Sequence, residues 1–416
     1  MNALERILSE FGPADGAAPA RLAAAQALRT HALPTRRDEN WRYANLRALE
    51  AVRSFLPGPQ PTASPALPPA LPGYSRLVFI DGRHHPEHAL PETSLIDRLR
   101  RTDARNADAG VLPFMSAGDG RFGLIARMFA PEPLALRVEG TLALELVSIT
   151  TAEARGSYLE LDIQVAPHAQ LELVERHLGG AGPTGWSCVQ VELQLGEHAQ
   201  LTHTRLLQSA PDALHYDTVA VSVGADGHYL LRQVGAGAQT ARSTTQVRLG
   251  GRDARTQIRA LATARDTQVC DALFTVLHEA PGTRSDQLFR GIASDRAHVA
   301  CSADVQVAAT APGARVLQSL RGLIDGAGAE VDLRPRLTIN TDDVQAAHGA
   351  TTGRLDEDLL FYLLSRGLGP AEARSLLKWA FLAEALNAID APALRRVAGQ
   401  AAAARLADTP ATELLQ

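Results

Sequence analysis

The sequence predicts a mainly β protein, a parallel β-solenoid flanked by α-helical regions at both ends. From Leu134 to Asn340, short runs rich in Val, Leu and Ile alternate with polar residues and are separated by Gly, Pro and Asp, a pattern typical of strands. The turns between these runs recur at a nearly constant spacing. Before and after this region the apolar residues follow the 3.6-residue period of a helix.

The turn spacing is the observation that favours a solenoid. Equivalent turn positions are separated by 27 to 31 residues, and the tetrapeptide HAQL occurs at two of them. A unit of this size cannot bury its own apolar face, so neighbouring units must stack. An antiparallel sandwich, whose strands also recur between turns, stays open as an alternative. The six equivalent positions are Ala169, Ala199, Gly227, Ala254, Thr283 and Ala314.

The N-terminal part divides into two segments. Residues 1–55 are expected to be a helical region, because Leu4, Ile7, Leu8 and Phe11 fall on one helix face and Arg21–Thr30 continues the helical character. Residues 56–133 are expected to be a Pro-rich linker and lead-in, since the eighteen residues 56–73 contain seven prolines.

The remaining chain is predicted as a β-helix core at residues 134–352 and a C-terminal helical region at residues 353–416. Within the latter, Leu355–Gly367 and Gly369–Ile389 form a helical hairpin, with Pro370 at the first position of the second helix. The apolar stripe of that second helix is predicted to consist of Leu376, Leu377, Ala380, Phe381 and Leu386.

Composition and motifs argue against several function classes. A net charge of −5 is unlike that of a nucleic-acid-binding protein. The absence of an N-terminal signal pattern and of apolar runs near ~18 residues predicts a cytoplasmic protein without a membrane span. Gly235–Thr244 is glycine-rich but lacks Gly-Lys-Ser/Thr, so ATP hydrolysis by this chain is not expected. Since a nucleophile-elbow motif is also missing, the chain is predicted not to be an enzyme.

Candidate metal ligands are concentrated in one segment. Asp342, Asp343 and His348 lie within seven residues, and carboxylates with an imidazole suit divalent first-row metals, although such residues also occur near turns without metal. The three cysteines, Cys188, Cys270 and Cys301, are interpreted as small buried apolar residues. His168 and His198 occupy matching turns and are interpreted as exposed repeat positions.

Four segments carry a family resemblance. INTDDVQAAHGATTGRLDEDLLFYLLSRGL, residues 339–368, is very similar to the C-terminal signature of the SufB/SufD family of iron–sulfur cluster assembly proteins. The stretches SDQLFRGIASDRAHV and LRPRLTINTDDV resemble the same family, and ENWRYANL, residues 39–46, resembles a motif typical of its SufD branch. SufB proteins, the close alternative, are usually longer and carry the scaffold cysteine.

The resemblance implies a right-handed parallel β-helix and a complex with SufB and the ATPase subunit SufC. SufC would be held by the C-terminal helices, and the apolar side chains available there are shared between internal packing and the partner. A homodimer of the isolated chain stays open. The predicted partner-binding residues are Leu359, Leu360, Tyr362, Leu363, Leu376, Leu377 and Phe381.

The resemblance also implies a role for His348, which corresponds to a histidine at the SufB–SufD interface that is linked to building the nascent cluster. Some relatives have a cysteine two residues earlier, where this chain has Ala346. No permanently bound cofactor is expected, and iron or an iron–sulfur cluster would be bound transiently; flavin binding stays open.

Two alternatives belong to other classes of protein. Parallel β-helices also occur in extracellular carbohydrate-active enzymes, but a row of carboxylates or basic groups along a groove is not recognisable in the sequence. A homo-oligomeric interaction scaffold without a metal role would have the same stacked coils, and replacing His348 would leave its function intact.

Overall fold

A computed structural model describes residues 2–12, 18–59, 65–89, 99–101, 119–151, 155–179 and 185–406. Residues 60–64, 90–98 and 102–118 of the predicted linker and lead-in, and residues 407–416 of the predicted C-terminal region, lie outside these ranges. Within the described ranges, no helix is both long enough and apolar enough to cross a membrane.

The chain folds into two large sheets that face each other, and from β4 onward successive strands alternate between them. The strands are β1 (Ser75–Ile80), β2 (Arg83–His84), β3 (Leu99–Arg101), β4 (Leu134–Val138), β5 (Thr141–Thr150), β6 (Ser157–Val165), β7 (Gln170–Gly179), β8 (Trp186–Leu195), β9 (Gln200–Ser209), β10 (Leu214–Val223), β11 (His228–Gly235), β12 (Thr240–Leu249), β13 (Arg255–Ala264), β14 (Val269–His278), β15 (Arg284–Ser294), β16 (His298–Val307), β17 (Ala314–Asp325), β18 (Glu330–Ile339) and β19 (Val344–Gly353). Each coil of the solenoid contributes one strand to each sheet.

The sheet order confirms the predicted parallel solenoid and excludes the antiparallel sandwich. One sheet has ten strands in the order β19-β17-β15-β13-β11-β9-β7-β5-β1-β2, and the other has nine in the order β18-β16-β14-β12-β10-β8-β6-β4-β3. All pairs are parallel except β1 with β2 and β3 with β4, at the N-terminal end. These two short antiparallel strands cover one end of the solenoid.

The predicted repeat positions are confirmed by the strand register. The residues that follow the six turn positions are paired one above another along the ten-stranded sheet: Gln170, Gln200, His228, Arg255, Arg284 and Arg315. The residue immediately before each of the six turn positions has a positive φ. In two coils this residue is a histidine, His168 or His198, and in the other coils it is Asp or Gly. His, Asp and Gly tolerate this left-handed conformation, which explains the repeated HAQL. The two histidines are exposed, as predicted, and their rings stack with centroids 4.9 Å apart.

The space between the two sheets holds one continuous apolar core made of alternate residues from every coil. Leu144, Leu173, Val191, Val221 and Val305 are examples, each fully buried. This is the stacking that the repeat length requires, because every coil shares its apolar side chains with the coils above and below.

Helices cover the outer faces of both sheets. On the nine-stranded sheet lie α1 (Ala3–Phe11), α2 (Pro19–His31) and α3 (Arg121–Phe129), which pack with Tyr158, Trp186 and Tyr216. Helices α1 and α2 confirm the predicted N-terminal helical segments. On the ten-stranded sheet lie α5 (Pro370–Leu386) and α6 (Pro392–Ala403), and α4 (Glu357–Ser365) comes before them.

The predicted lead-in segment contains part of the solenoid. Strand β1 pairs in parallel with β5, so the ten-stranded sheet begins upstream of Leu134. Few sequence signals mark this strand, because a single strand of six residues shows little periodicity. The division of the chain at residues 55, 133 and 352 stays a prediction.

The apolar stripe predicted for α5 is wrong in part. Ala380 is exposed, and the buried face contains Leu382 and Ala385 together with Lys378. The physical reason is that Lys378, the single lysine of the sequence, lies on the buried face, where it forms an ion pair with Asp325 of β17. A buried charge requires such a partner, and apolar periodicity does not reveal it.

Candidate partner-binding site at the C-terminal edge

The C-terminal end of the solenoid is an open edge formed by β18 and β19. Among the described residues, β19 pairs with β17 alone and β18 with β16 alone, over ten residues each. All residues of β19 from Gln345 to Gly353 are exposed. A long strand with a free row of N–H and C=O groups is a template for pairing with another chain.

His348 lies in the middle of this edge strand. It pairs in register with Gln318 of β17, and its side chain is exposed. Asp342 and Asp343 are exposed in the turn before β19, and Ala346 is on the same strand. His348 belongs to neither of the groups of three potential metal ligands found among the described residues. If His348 binds a metal ion, the other ligands would therefore have to come from outside the described residues. Its metal role stays a prediction.

Helix α4 follows the edge and confirms the first half of the predicted hairpin. The carboxylate of its N-cap, Asp356, accepts hydrogen bonds from the backbone N–H groups of Asp358 and Leu359 at 2.9 and 3.0 Å. The helix ends before Gly367, which has a φ of 93°. Both features fit the acidic start and glycine end read from the sequence.

The apolar side chains of α4 are largely free of internal packing. All nine of its residues are exposed or half-buried: Leu359 is 52% exposed and Tyr362 53%, whereas Leu360 and Leu363 are half-buried. Phe361, which is not among the predicted partner-binding residues, is 73% exposed. Its apolar character, shared with its neighbours Leu359 and Tyr362, is the signal in the sequence that identifies it.

The predicted partner-binding residues on α5 are less available. Leu376, Leu377 and Phe381 are half-buried, and Phe381 packs against the cluster that joins α5 to the ten-stranded sheet. An open cleft of about 470 Å³ separates the last coil from α4 and is lined by Asp325, Leu360 and Phe361 among others. The exposed apolar surface is therefore concentrated on α4.

The N-terminal motif lies on the opposite sheet and reaches the same edge. Arg334 of β18 donates hydrogen bonds to the backbone oxygen of Glu39 and the side-chain oxygen of Asn40, at 3.2 and 2.7 Å. Trp41 is buried against Phe122 of α3 with ring centroids 5.2 Å apart. Residues 39–45 thus cross several coils and secure the last strand of the nine-stranded sheet.

The solenoid interior contains a buried charged cluster that no sequence motif indicates. Arg205 donates to Glu175 at 3.2 Å and to Asp217 at 2.9 Å, and His203 lies 2.8 Å from Glu175. Burial raises the pKa of the Glu175 carboxyl, but Arg205 and His203 outweigh this effect and hold its pKa well below the usual range. The same balance, dominated by Arg205, lowers the pKa of Asp217. The cluster ties three consecutive coils together.

Two of the three cysteines are buried, as predicted. Cys188 and Cys301 are buried and Cys270 is half-buried, and all three are free. Burial raises the pKa of each thiol, that of Cys270 to about 12. Because the thiolate is the nucleophile and metal ligand, none of the three is suited to sulfur chemistry in this conformation.

Comparisons with known proteins agree with this architecture. The family model for the SufBD core domain of the SUF system of FeS cluster assembly matches residues 148–381. The iron–sulfur cluster assembly protein SufD of Escherichia coli is 29% identical over 374 residues, which is 88% of this chain and 87% of that protein. A SufBD family protein of Synechocystis is 28% identical over 402 residues, covering 90% of this chain and 88% of the relative.

A shorter match links a 59-residue part of the chain to SufD of Bacillus subtilis at 46% identity, 14% of each protein. The relatives named SufD support the SufD branch that the Trp41–Arg42–Tyr43 motif predicted. Since the family model spans more than half of the chain, the protein belongs to the SufBD core family of SUF-system iron–sulfur cluster assembly proteins and is SufD-like.

Proposed function

We propose that this protein is a non-catalytic subunit of a complex that assembles iron–sulfur clusters, together with a SufB-like scaffold and a SufC-like ATPase. The single observation that carries the proposal is the open edge of the last coil, with His348 at its centre. Family membership indicates the process, iron–sulfur cluster assembly. The open edge offers a surface at which a second subunit would bind.

The SufB-like partner would add a strand to β19 or β18. Main-chain hydrogen bonds would provide the affinity, and the exposed side chains of β19 would provide the specificity. Because the strand is exposed from Gln345 to Gly353, pairing would cover His348 and place it between the two subunits. A second copy of this chain could use the same edge when the partner is missing.

His348 would contribute an imidazole ligand to iron or to the nascent cluster, which is the cargo of the complex. A neutral imidazole suits iron. Since Ala346 replaces the cysteine found in some relatives and the three thiols are internal, the sulfur ligands would come from the SufB-like subunit.

The SufC-like ATPase would bind α4. Leu359, Phe361 and Tyr362 are exposed apolar side chains concentrated on one short helix, the kind of surface that marks a protein–protein contact. This arrangement would couple nucleotide-driven movement of the ATPase to the edge, because α4 follows β19 directly in the chain.

Co-expression with candidate SufB-like and SufC-like subunits tests the proposal. The expected result is a stable complex containing all three subunits, with iron and sulfide bound after anaerobic reconstitution. Recovery of this chain only as a homo-oligomer, with the other subunits present and folded, would favour the homo-oligomeric scaffold instead.

A further inference from the structure

A second histidine–carboxylate group lies on the outer face of the nine-stranded sheet, away from His348 in the sequence. One potential ligand atom each from His298, Glu330 and Asp332 lies within 4.8 Å of the others. Nε2 of His298 is 2.7 Å from a carboxylate oxygen of Asp332. Ligand atoms bound ~2 Å from a common ion are at most ~4 Å apart, so small side-chain movements would bring the three atoms onto one ion.

The strand register explains why these side chains meet. His298 of β16 is paired with Glu330 of β18, and Asp332 is two residues further along the same outer face. The residue paired with Asp332 is Ala300, whose small side chain leaves room beside His298. All four residues point away from the core, because the alternate positions, such as Val299, belong to the interior.

A fourth carboxylate gives independent support for a ligand. Asp271 of β14 is paired with Ala300 from the other side and is only 2% exposed. One of its oxygens contacts Arg242, but the other is buried and has no hydrogen-bond partner among the described residues. Asp271 and Asp332 both pair with Ala300, from opposite sides, so the two carboxylates face the same side of the sheet.

The N-terminal motif holds the imidazole in place. The Tyr43 ring meets the His298 ring edge to face, with centroids 6.0 Å apart. Arg334, on the same strand as both carboxylates, is bound to Glu39 and Asn40. The two contacts place residues 39–43 over the histidine–carboxylate group and restrict the orientation of its ligands, as outer contacts do in metal sites.

We propose that His298, Glu330 and Asp332 form a binding site for a divalent first-row transition metal, with the buried carboxylate of Asp271 on the same face of the sheet, beyond Ala300. One imidazole with two carboxylates suits Fe(II), Mn(II) and Zn(II). The choice of Fe(II) among these metals rests on the proposed function. The identification of the three ligands rests on the structure alone. Glu330 and Asp332 are on β18, the last strand of its sheet, so an ion held there would lie beside the edge at which the partner binds.

Equilibrium dialysis of the isolated full chain against Fe(II), without oxygen, tests the inference. We expect one Fe(II) bound by the wild type, and an affinity lowered by at least about tenfold in each of His298→Ala, Glu330→Gln and Asp332→Asn. Glu330 is exposed, so Glu330→Gln keeps the fold and separates a metal site from the existing hydrogen bond between His298 and Asp332. Circular dichroism melting would check the fold of each variant.

The second group of potential ligands provides the matched control. His85, Glu87 and His88 also place three ligand atoms within 4.8 Å, far from the open edge in the chain. The double substitution His85→Ala with His88→Ala should leave Fe(II) binding unchanged. The inference is overturned if the wild type binds no Fe(II), if Glu330→Gln binds it as the wild type does, or if the control variant loses it.

This experiment is independent of cluster assembly. His348→Ala should retain Fe(II) binding by the isolated chain, because His348 is not part of the group. Failure of the chain to form a complex with SufB-like and SufC-like subunits would defeat the proposed function and leave the dialysis result standing.

Discussion

The guanidinium of Arg242 lies over the ring of Trp41, 4.4 Å from its centroid, and joins the N-terminal motif to the middle of the solenoid. Arg242 also bonds the buried carboxylate of Asp271 and donates to the backbone oxygen of Asn40 at 2.8 Å. One side chain of β12 therefore links a neighbouring coil to a segment two hundred residues away. The motif is a structural clamp as well as a family signature.

Replacing Trp41 by Ala should lower the free energy of unfolding by about 3–5 kcal/mol, because it removes a fully buried ring and uncovers Arg242. Urea unfolding measures the change. Arg42→Ala, at the exposed neighbouring position, is the control and should change stability little. Equal stability of both variants would show that residues 39–45 do not clamp the coils.

Stability should decrease as the pH falls below ~6.5, the unperturbed pKa of histidine. Burial lowers the pKa of His278 to about 4, so between these values the unfolded chain binds a proton that the folded chain does not. The contribution of His278 to the free energy of unfolding is therefore complete above pH ~6.5. It decreases by about 3 kcal/mol as the pH falls to ~4. Glu175 and Asp217, whose pKa values are lowered, extend the loss to more acidic pH.

His278→Gln isolates that contribution. The amide can keep a bond to Thr283 or Ser285, which lie 2.8 Å from the two ring nitrogens, but it does not titrate. As the pH falls from 6.5 to 4, the free energy of unfolding of the variant should decrease less than that of the wild type. An unchanged pH dependence in urea unfolding would show that His278 does not carry the effect.

Glutamate at Phe361 or Leu359 should weaken binding of a SufC-like ATPase, because a charge would replace exposed apolar contact surface on α4. Pull-down at matched concentrations measures the effect, which we expect to be at least about tenfold in affinity. Leu22→Glu, at a 48% exposed leucine of α2, is the control. Leu377→Glu is less informative because Leu377 is half-buried and its loss would also disturb packing.

His348→Ala should reduce the iron and sulfide bound by the reconstituted complex while all subunits still assemble. The side chain is exposed on β19 and contributes no buried packing, so the fold should be unaffected. His198→Ala, in an exposed turn of the solenoid, is the matched control. Wild-type iron and sulfide content in the His348 variant would leave the histidine without a role in loading.

The solenoid was predictable from the sequence because its repeats are visible in two ways. Turn residues such as Gly227 and Ala254 recur at a spacing that the register reproduces, and the strands between them alternate apolar and polar positions. The terminal helices were predictable from capping and period. By contrast, β1 is one short strand whose partner, β5, is more than sixty residues away, and no local pattern encodes that pairing.

The site was predictable only in part. His348 and the apolar residues of α4 could be named because a family signature and a helical pattern mark them. The His298, Glu330 and Asp332 group could not, since its members come from two strands that are adjacent only after the coils stack. The buried charged cluster of Glu175, Arg205 and Asp217 could not be predicted either. Its members also come from different strands, and they occupy inward positions where the pattern predicts apolar residues.

The most direct test of the open edge is hydrogen–deuterium exchange of β19, Val344–Gly353, in the isolated monomer and in the complex with a SufB-like subunit. In the monomer the alternate amides that do not bond to β17 should exchange rapidly. The account predicts that these amides become protected when the partner binds, while the interior strands such as β12 are unchanged. Assembly of a stable complex with β19 exchanging as fast as in the monomer would contradict it.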